Sequence, residues 1–64
     1  MKADRKKLEL AMARACMTTA ELTEAAGIPR PTLNRVLGGY GSRAGTIGKV
    51  ARALGVDVTE ILGE

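Results

Sequence analysis

Apolar residues recur every three or four positions along most of the chain, which is the spacing of one face of an α-helix. The clearest stripes consist of Leu8, Ala11, Met12 and Ala15 near the start, and of Ile47, Val50, Ala51 and Leu54 further on. No run of four or more residues alternates between apolar and polar, as a half-buried β-strand would. The pattern therefore predicts an all-α fold.

Capping residues mark the ends of the first two predicted helices. The first runs from about Asp4, a plausible N-cap, to Ala15. The second begins at Thr18, which forms a capping box with Glu21 three residues later. It ends at Gly27, because glycine readily takes the left-handed conformation that closes a helix.

Three further helices are predicted after Gly27. The third is bounded by Pro29 and Gly38, and a glycine-rich loop follows it. The fourth begins at about Thr46 and stops at Gly55. A second capping box at Asp57 begins a short fifth helix, so that five helices fill the chain.

The second and third helices form one unit, at about residues 18–38. Both are too short to bury much surface against each other, and only a tight turn separates them. Such a turn is useful when the second helix of the pair is presented outward. This is the helix-turn-helix arrangement, whose second helix enters the major groove of DNA.

The distribution of charge favours the same interpretation. The chain carries ten Lys or Arg and seven Asp or Glu, a net charge of +3. Five of the bases lie between Glu24 and Asp57, where there is no acid at all, whereas the two flanks together have a charge of −2. A basic band over an outward-facing helix is typical of phosphate binding. An ordinary solvated surface is the alternative explanation.

Length and composition exclude several other classes of protein. Sixty-four residues predict a single domain over 1–64, with no room for a small-molecule ligand domain. No apolar run approaches the ~20 residues of a membrane span, so we expect a cytoplasmic protein. Cys16 is alone and the chain has no histidine, which argues against disulfides, a metal site or a cofactor.

Two sequence signatures at the correct separation resemble those of a known family. The first is the small-residue turn Ala26-Gly27-Ile28, with Leu22 before it and Leu33 after it at buried positions. The second is TIGKVARALGV, at residues 46–56. Together they resemble the lambda-repressor-like family of phage repressors, Cro proteins and xenobiotic-response-element-type regulators. The resemblance implies a compact five-helix domain that binds double-stranded DNA.

The chain departs from the usual pattern of that family at several positions. Thr19 stands where glutamine is common, and its shorter side chain reaches only a nearby phosphate. Thr23 replaces a small alanine, so its hydroxyl must fit the helix crossing or bond a carbonyl one turn back. Cys16 replaces a glycine, which implies a strained cap and a buried or capping thiol. Independently of the resemblance, Gly48 within the fourth helix is unfavourable relative to alanine, which suggests close packing there.

The resemblance places the recognition residues on the third helix. Arg35 is the best candidate for a base contact, because arginine pairs with two acceptors of guanine; a solvated side chain or a pair with Glu24 is the alternative. Arg30 opposes the dipole of its own helix, which a neighbouring DNA phosphate would explain. Asn34 and Thr32 are weaker candidates, and Pro31 offers only an apolar contact.

Other predicted DNA contacts come from flanking segments. Thr19 lies at a helix N-terminus, which favours an anion such as phosphate. Relatives grip the DNA backbone with the loop after the recognition helix, which here contains Tyr40, Ser42 and Arg43. Tyr40 is the only aromatic residue, and a phosphate contact or an interface is a better explanation for it than the core.

The favoured function is a sequence-specific transcriptional regulator of repressor type. A homodimer on a palindromic operator is expected, with its interface near Val56, Val58 and Leu62. A core position is the alternative for these three residues, and the stronger one for Leu62. The alternative is an antitoxin that binds a partner protein and regulates its own gene, although no extended arm for a toxin is evident. A helical adaptor without DNA binding is a third possibility. An enzyme is the least favoured, because the carboxylates lie at helix starts where capping explains them.

Overall fold

The computed structural model describes residues 1–63, and its architecture confirms the all-α prediction. Four α-helices follow in order: α1 (Arg5–Ala15), α2 (Thr19–Ala26), α3 (Arg30–Leu37) and α4 (Ala44–Leu54). Within residues 1–63, none of these helices is long and apolar enough to cross a membrane.

The prediction of a fifth helix is wrong in this described part of the chain. Residues Val58–Glu60 form only a short 3-10 turn, although the predicted capping box of Asp57 and Glu60 is present. The turn ends at Ile61, whose side chain is fully buried in the core. Leu62 then pairs with Ala3 in an isolated antiparallel bridge.

Helix α4 begins two residues earlier than predicted, at Ala44 instead of Thr46. Arg43 is its N-cap and has an extended backbone, and the amide of Ile47 donates to the Arg43 carbonyl at 3.1 Å to close the first turn. No side chain caps this terminus. The boundary was therefore misplaced because the usual sequence signal for a helix start is missing.

The hydrophobic core lies around α4, which packs against α1, α2 and the 3-10 turn, while α3 packs against α2. The predicted inward positions of α4 are all buried. Met12, Met17 and Ala15 pack at the edge of the core, as filler. The buried hydrophobic residues are Ala3, Leu8, Ala11, Leu22, Ile28, Leu33, Val36, Ile47, Val50, Ala51, Leu54 and Ile61.

Three expectations about unusual positions have different outcomes. Cys16 does cap α1 in the left-handed region, with φ 55°, but its thiol is exposed and not buried. The hydroxyl of Thr23 donates to the carbonyl of Thr19 at 2.9 Å, one turn back, as expected. The expectation of close packing at Gly48 is wrong, because a Cβ there would meet nothing within 4 Å.

The first residues of the chain lie between two distant segments. The amide of Asp4 donates to the carbonyl of Ile61 at 2.8 Å, and the amide of Gly63 donates to the carbonyl of Lys2 at 2.8 Å. Gly63 approaches so closely that a Cβ there would lie 2.9 Å from the backbone nitrogen of Asp4. Residues 1–4, called the N-terminal segment below, are therefore fixed against the C-terminal segment 61–63.

Candidate nucleic-acid interface

A three-residue turn joins α2 to α3. Gly27 ends α2 in the left-handed region, with φ 68°, and its amide donates to the carbonyls of Thr23 and Glu24. Ile28 then enters the core, and Pro29 is the extended N-cap of α3. Because Ile28 anchors the turn while glycine and proline fix its backbone, the direction of α3 relative to α2 is set locally.

Helix α3 has one buried and one open face. Leu33 and Val36 are fully buried, while the opposite side carries four exposed residues. Those residues are Arg30, Pro31, Asn34 and Arg35. At about 100° per residue they span an arc of about 140°, with the two arginines at its edges. The open face is therefore a short strip flanked by positive charge on both sides.

The loop after α3 and the start of α4 form a shallow groove beside this strip. Its volume is about 370 Å³. Its lining residues are Thr32, Arg35, Gly41, Ser42, Arg43 and Thr46. The groove thus brings together four predicted residues, two from α3 and two from the loop after it. Gly41 and Thr46 were not among the candidates. Thr32 and Arg35 face it from α3, and Arg43 and Thr46 from the first turn of α4.

The two helices that contribute to the groove, α3 and α4, have N-termini with arginine and no side-chain cap. Pro29, the N-cap of α3, and Arg43, the N-cap of α4, make no capping hydrogen bond through their side chains. Arg30 is the first residue of α3. Positive charge at such a terminus opposes the helix dipole, whereas an anion there is favoured. The arrangement is suited to a polyanion.

Tyr40 lies outside the core, as predicted, with 62% of its surface exposed. The Cζ atom of Arg35 lies 5.7 Å from the centre of the Tyr40 ring, which is within cation–π range. The alternative pair between Arg35 and Glu24 does not occur among residues 1–63. Sequence reasoning missed the contact between Arg35 and Tyr40, because both residues were assigned separately to DNA.

The N-terminal segment is hydrogen-bonded to the loop 40–43. The amide of Ser42 donates to the carbonyl of Met1 at 2.7 Å, and the ammonium of Met1 donates to the carbonyl of Ser42 at 3.0 Å. The hydroxyl of Ser42 donates to the carbonyl of Tyr40 at 3.4 Å. No sequence signal pointed to this contact, since it joins residues forty-one positions apart.

The start of α2 is capped as predicted. The amide of Glu21 donates to the Thr18 hydroxyl at 3.1 Å, and the amide of Thr18 donates to the Glu21 carboxylate at 2.9 Å. The hydrogen bond from the Thr18 amide, with that from its hydroxyl group, holds the pKa of Glu21 below its ordinary value. Thr19 is the first residue of α2 and is half-buried. Its proposed phosphate contact stays a prediction.

The comparisons with known proteins identify the family. The chain matches the Cro/C1-type HTH DNA-binding domain over residues 7–63. It belongs to this family, which confirms the resemblance found in the sequence. The family is defined by double-stranded DNA binding and transcription regulation.

The other two comparisons add little about function. No curated protein gives a significant match. One similar solved structure is that of a mutant of hydroxyethylphosphonate dioxygenase, with a TM-score of 0.84 and 28% identity. The similarity covers 100% of this chain but 14% of that one. It therefore concerns a small part of the dioxygenase and gives no argument for catalysis here.

Proposed function

We propose that this protein is a sequence-specific transcriptional regulator of repressor type, which binds a palindromic operator as a homodimer. Helix α3 lies in the major groove, α2 crosses the backbone, and the loop 40–43 grips phosphates. The observation that carries the proposal is the open strip of α3, which is flanked by Arg30 and Arg35 and continues into the groove at Arg43.

Separate roles follow for the proposed contact residues. Arg35 reads guanine through its two donors, and Asn34 contacts adenine or phosphate from the same strip. Pro31 makes an apolar contact, and Thr32 lines the groove beside Arg35. The remaining contacts are to phosphate, from Thr19, Arg30, Tyr40, Ser42 and Arg43.

A dimer is proposed because one strip of four exposed residues reads too few base pairs for a specific site. Two copies related by a two-fold axis would place their α3 helices about 34 Å apart on successive turns of DNA. Val56, Val58 and Leu62 are only partly buried and lie near the C-terminal end of the chain, so they are the proposed interface.

Selection of bound sequences from random duplex DNA tests this function. The parent protein should select a palindromic consensus. The Arg35→Ala variant should lose preference at about one position in each half-site, with a loss of about 1–3 kcal/mol there. Recovery of no consensus at moderate salt would contradict the proposal.

Arg52→Ala is the matched control for this selection. It removes the same charge from an exposed residue of α4, about 9 Å further along the helix than Thr46, the last residue of α4 that lines the groove. The expected outcome is an unchanged consensus and a small, uniform loss of affinity through the weaker long-range attraction. Equal loss of preference in both variants would show that Arg35 contributes only charge.

A further inference from the structure

The ring of Tyr40 packs against Gly38 as well as against Arg35. An added Cβ at Gly38 would lie 2.9 Å from Cε2 and 3.0 Å from Cδ2 of Tyr40, both closer than side chains normally approach. The ring therefore occupies the space that any other residue at position 38 would fill. Gly38 itself has φ −76°, so backbone conformation does not demand glycine there.

The backbone of the same segment supports this position of the ring. The amide of Tyr40 donates to the carbonyl of Arg35 at 3.1 Å, and the amide of Gly38 donates to the carbonyl of Asn34 at 2.9 Å. Together these bonds fold the chain back over the end of α3. The ring is thereby brought to the Arg35 guanidinium, at 5.7 Å from the ring centre.

The stack lies at the edge of the groove that Arg35 lines. An arginine side chain has many accessible rotamers, and holding it in one of them before binding lowers the entropy that is lost on binding. The tyrosine ring lies against the guanidinium on one side and so reduces the number of rotamers open to Arg35. The hydroxyl of Tyr40 plays no part in this contact.

We propose that Tyr40 is a positioning residue for Arg35, and that Gly38 leaves free the space in which the ring of Tyr40 packs. Tyr40 thus increases the discrimination of bases by Arg35, beyond any contact of its own with phosphate. This inference rests on the proposed function of Arg35 in base recognition.

Three variants separate the ring from the hydroxyl. Tyr40→Leu removes the ring, Tyr40→Phe removes only the hydroxyl, and Gly38→Ala keeps Arg35 and Tyr40 but displaces the ring. Affinity is measured for two duplexes. The first is the consensus selected by the parent protein. The second differs from it only at the base pair where Arg35→Ala loses its preference. The ratio of the two affinities is the discrimination at that position.

We expect Tyr40→Leu and Gly38→Ala to lower this ratio about two- to fivefold, which is the range for an exposed cation–π contact. Tyr40→Phe should keep the ratio, while any lost phosphate contact should weaken binding to both duplexes equally. Gly48→Ala is the matched control, because it adds the same methyl group in open space. An unchanged ratio in Tyr40→Leu, or an equal loss in Tyr40→Phe, would overturn the proposal.

A measurement on the free protein distinguishes failure of this proposal from failure of the proposed function. The ring should shift the NMR signals of the Arg35 side-chain protons, and Tyr40→Leu and Gly38→Ala should abolish or reduce that shift. If the parent protein selects no DNA sequence, the proposed function fails, but these shifts still decide whether Tyr40 holds Arg35. Absence of ring-dependent shifts in the parent overturns the positioning role. Circular dichroism checks that each variant is folded.

Discussion

The N-termini of α1 and α2 differ from those of α3 and α4. In the first pair a side chain of the chain itself accepts from a free amide: Asp4 from Lys7, and Thr18 from Glu21. In the second pair no side chain does so, and arginine lies at position 30 or 43. Both uncapped helices line the groove through their first turns.

This difference separates residues that stabilise the fold from residues that are available for a ligand. A capped terminus has at least one of its free amides bonded within the protein. An uncapped terminus with arginine is less favourable to folding, by about 0.3–1 kcal/mol per charge. The location of both uncapped termini at one groove is explained if the compensating negative charge comes from DNA phosphates.

The largest expected effect comes from reversing a charge at an uncapped terminus. Arg43→Glu should weaken DNA binding about tenfold or more at ~0.1 M salt, and should lower the slope of log affinity against log salt by about 1–2. The same change should raise the free energy of unfolding by a few tenths to about 1 kcal/mol, because glutamate suits a helix N-terminus. Salt-dependent binding and urea unfolding check both results. Parallel losses of affinity and stability would refute the distinction between the termini.

Substitutions of two neighbouring threonines should have different effects, one on the stability of the protein and the other on its affinity for DNA. Thr18→Ala removes the cap of α2 and should lower the free energy of unfolding by about 1 kcal/mol, within a range of about 0.5–2. Affinity of the folded protein for DNA should change little. Thr19→Ala should leave stability nearly unchanged, since the Thr23 hydroxyl bonds its backbone carbonyl, and should weaken DNA binding a few-fold. Urea unfolding measures the stability of each variant, and DNA titration at low temperature measures its affinity while it is folded. A large loss of stability in Thr19→Ala would contradict this assignment.

The helices also differ in the residues that end them. Helices α2 and α4 end on glycines with positive φ, whereas α1 ends on Cys16 with φ 55°. Cys16→Gly should relieve backbone strain and stabilise the protein by about 0.5–1 kcal/mol, which raises the melting temperature by about 2–8 °C. Cys16→Ala is the control, because it removes the thiol but keeps the strain. Equal stabilisation by both changes would exclude the backbone explanation.

The smallest expected effect is the pH dependence of the capping boxes. Hydrogen bonds to the backbone lower the pKa of Glu21, through Thr18, and of Asp57, through Thr59. A carboxyl group whose pKa is lower in the folded state stabilises the protein above its unfolded pKa, and this contribution disappears as pH falls through the folded pKa. Stability should therefore be flat from pH 7 to about 5 and decline below about pH 4. Glu21→Gln should reduce this decline in urea unfolding; an unchanged decline would assign it to other carboxyl groups.

Sequence reasoning predicted what depends on local chemistry. The capping box at Thr18, the turn at Gly27 and the open strip of α3 all follow from residue type and spacing. The start of α4 was misplaced because Arg43 provides no capping signal. The fifth helix was wrong because Ile61 is drawn into the core, which is a tertiary effect that no capping box reveals.

The candidate site was predicted as a set of residues but not as a geometry. Tyr40 and Arg35 were both selected, yet their contact depends on how the chain folds back after Gly38. Thr46 also lines the groove, although it was predicted only as the start of a helix. Periodicity places residues on faces of single helices, whereas a groove depends on the distance between helices.

The hydrogen bonds of residues 1–4 have a practical consequence for the laboratory. Met1 is bonded to the loop 40–43 at Ser42, and Lys2 is bonded to Gly63. A purification tag fused before Met1 would convert the ammonium that donates to the Ser42 carbonyl into an amide, and would so change this contact. Affinities measured with tagged protein would then include a contribution from the tag, and enzymatic removal of the tag before titration eliminates it.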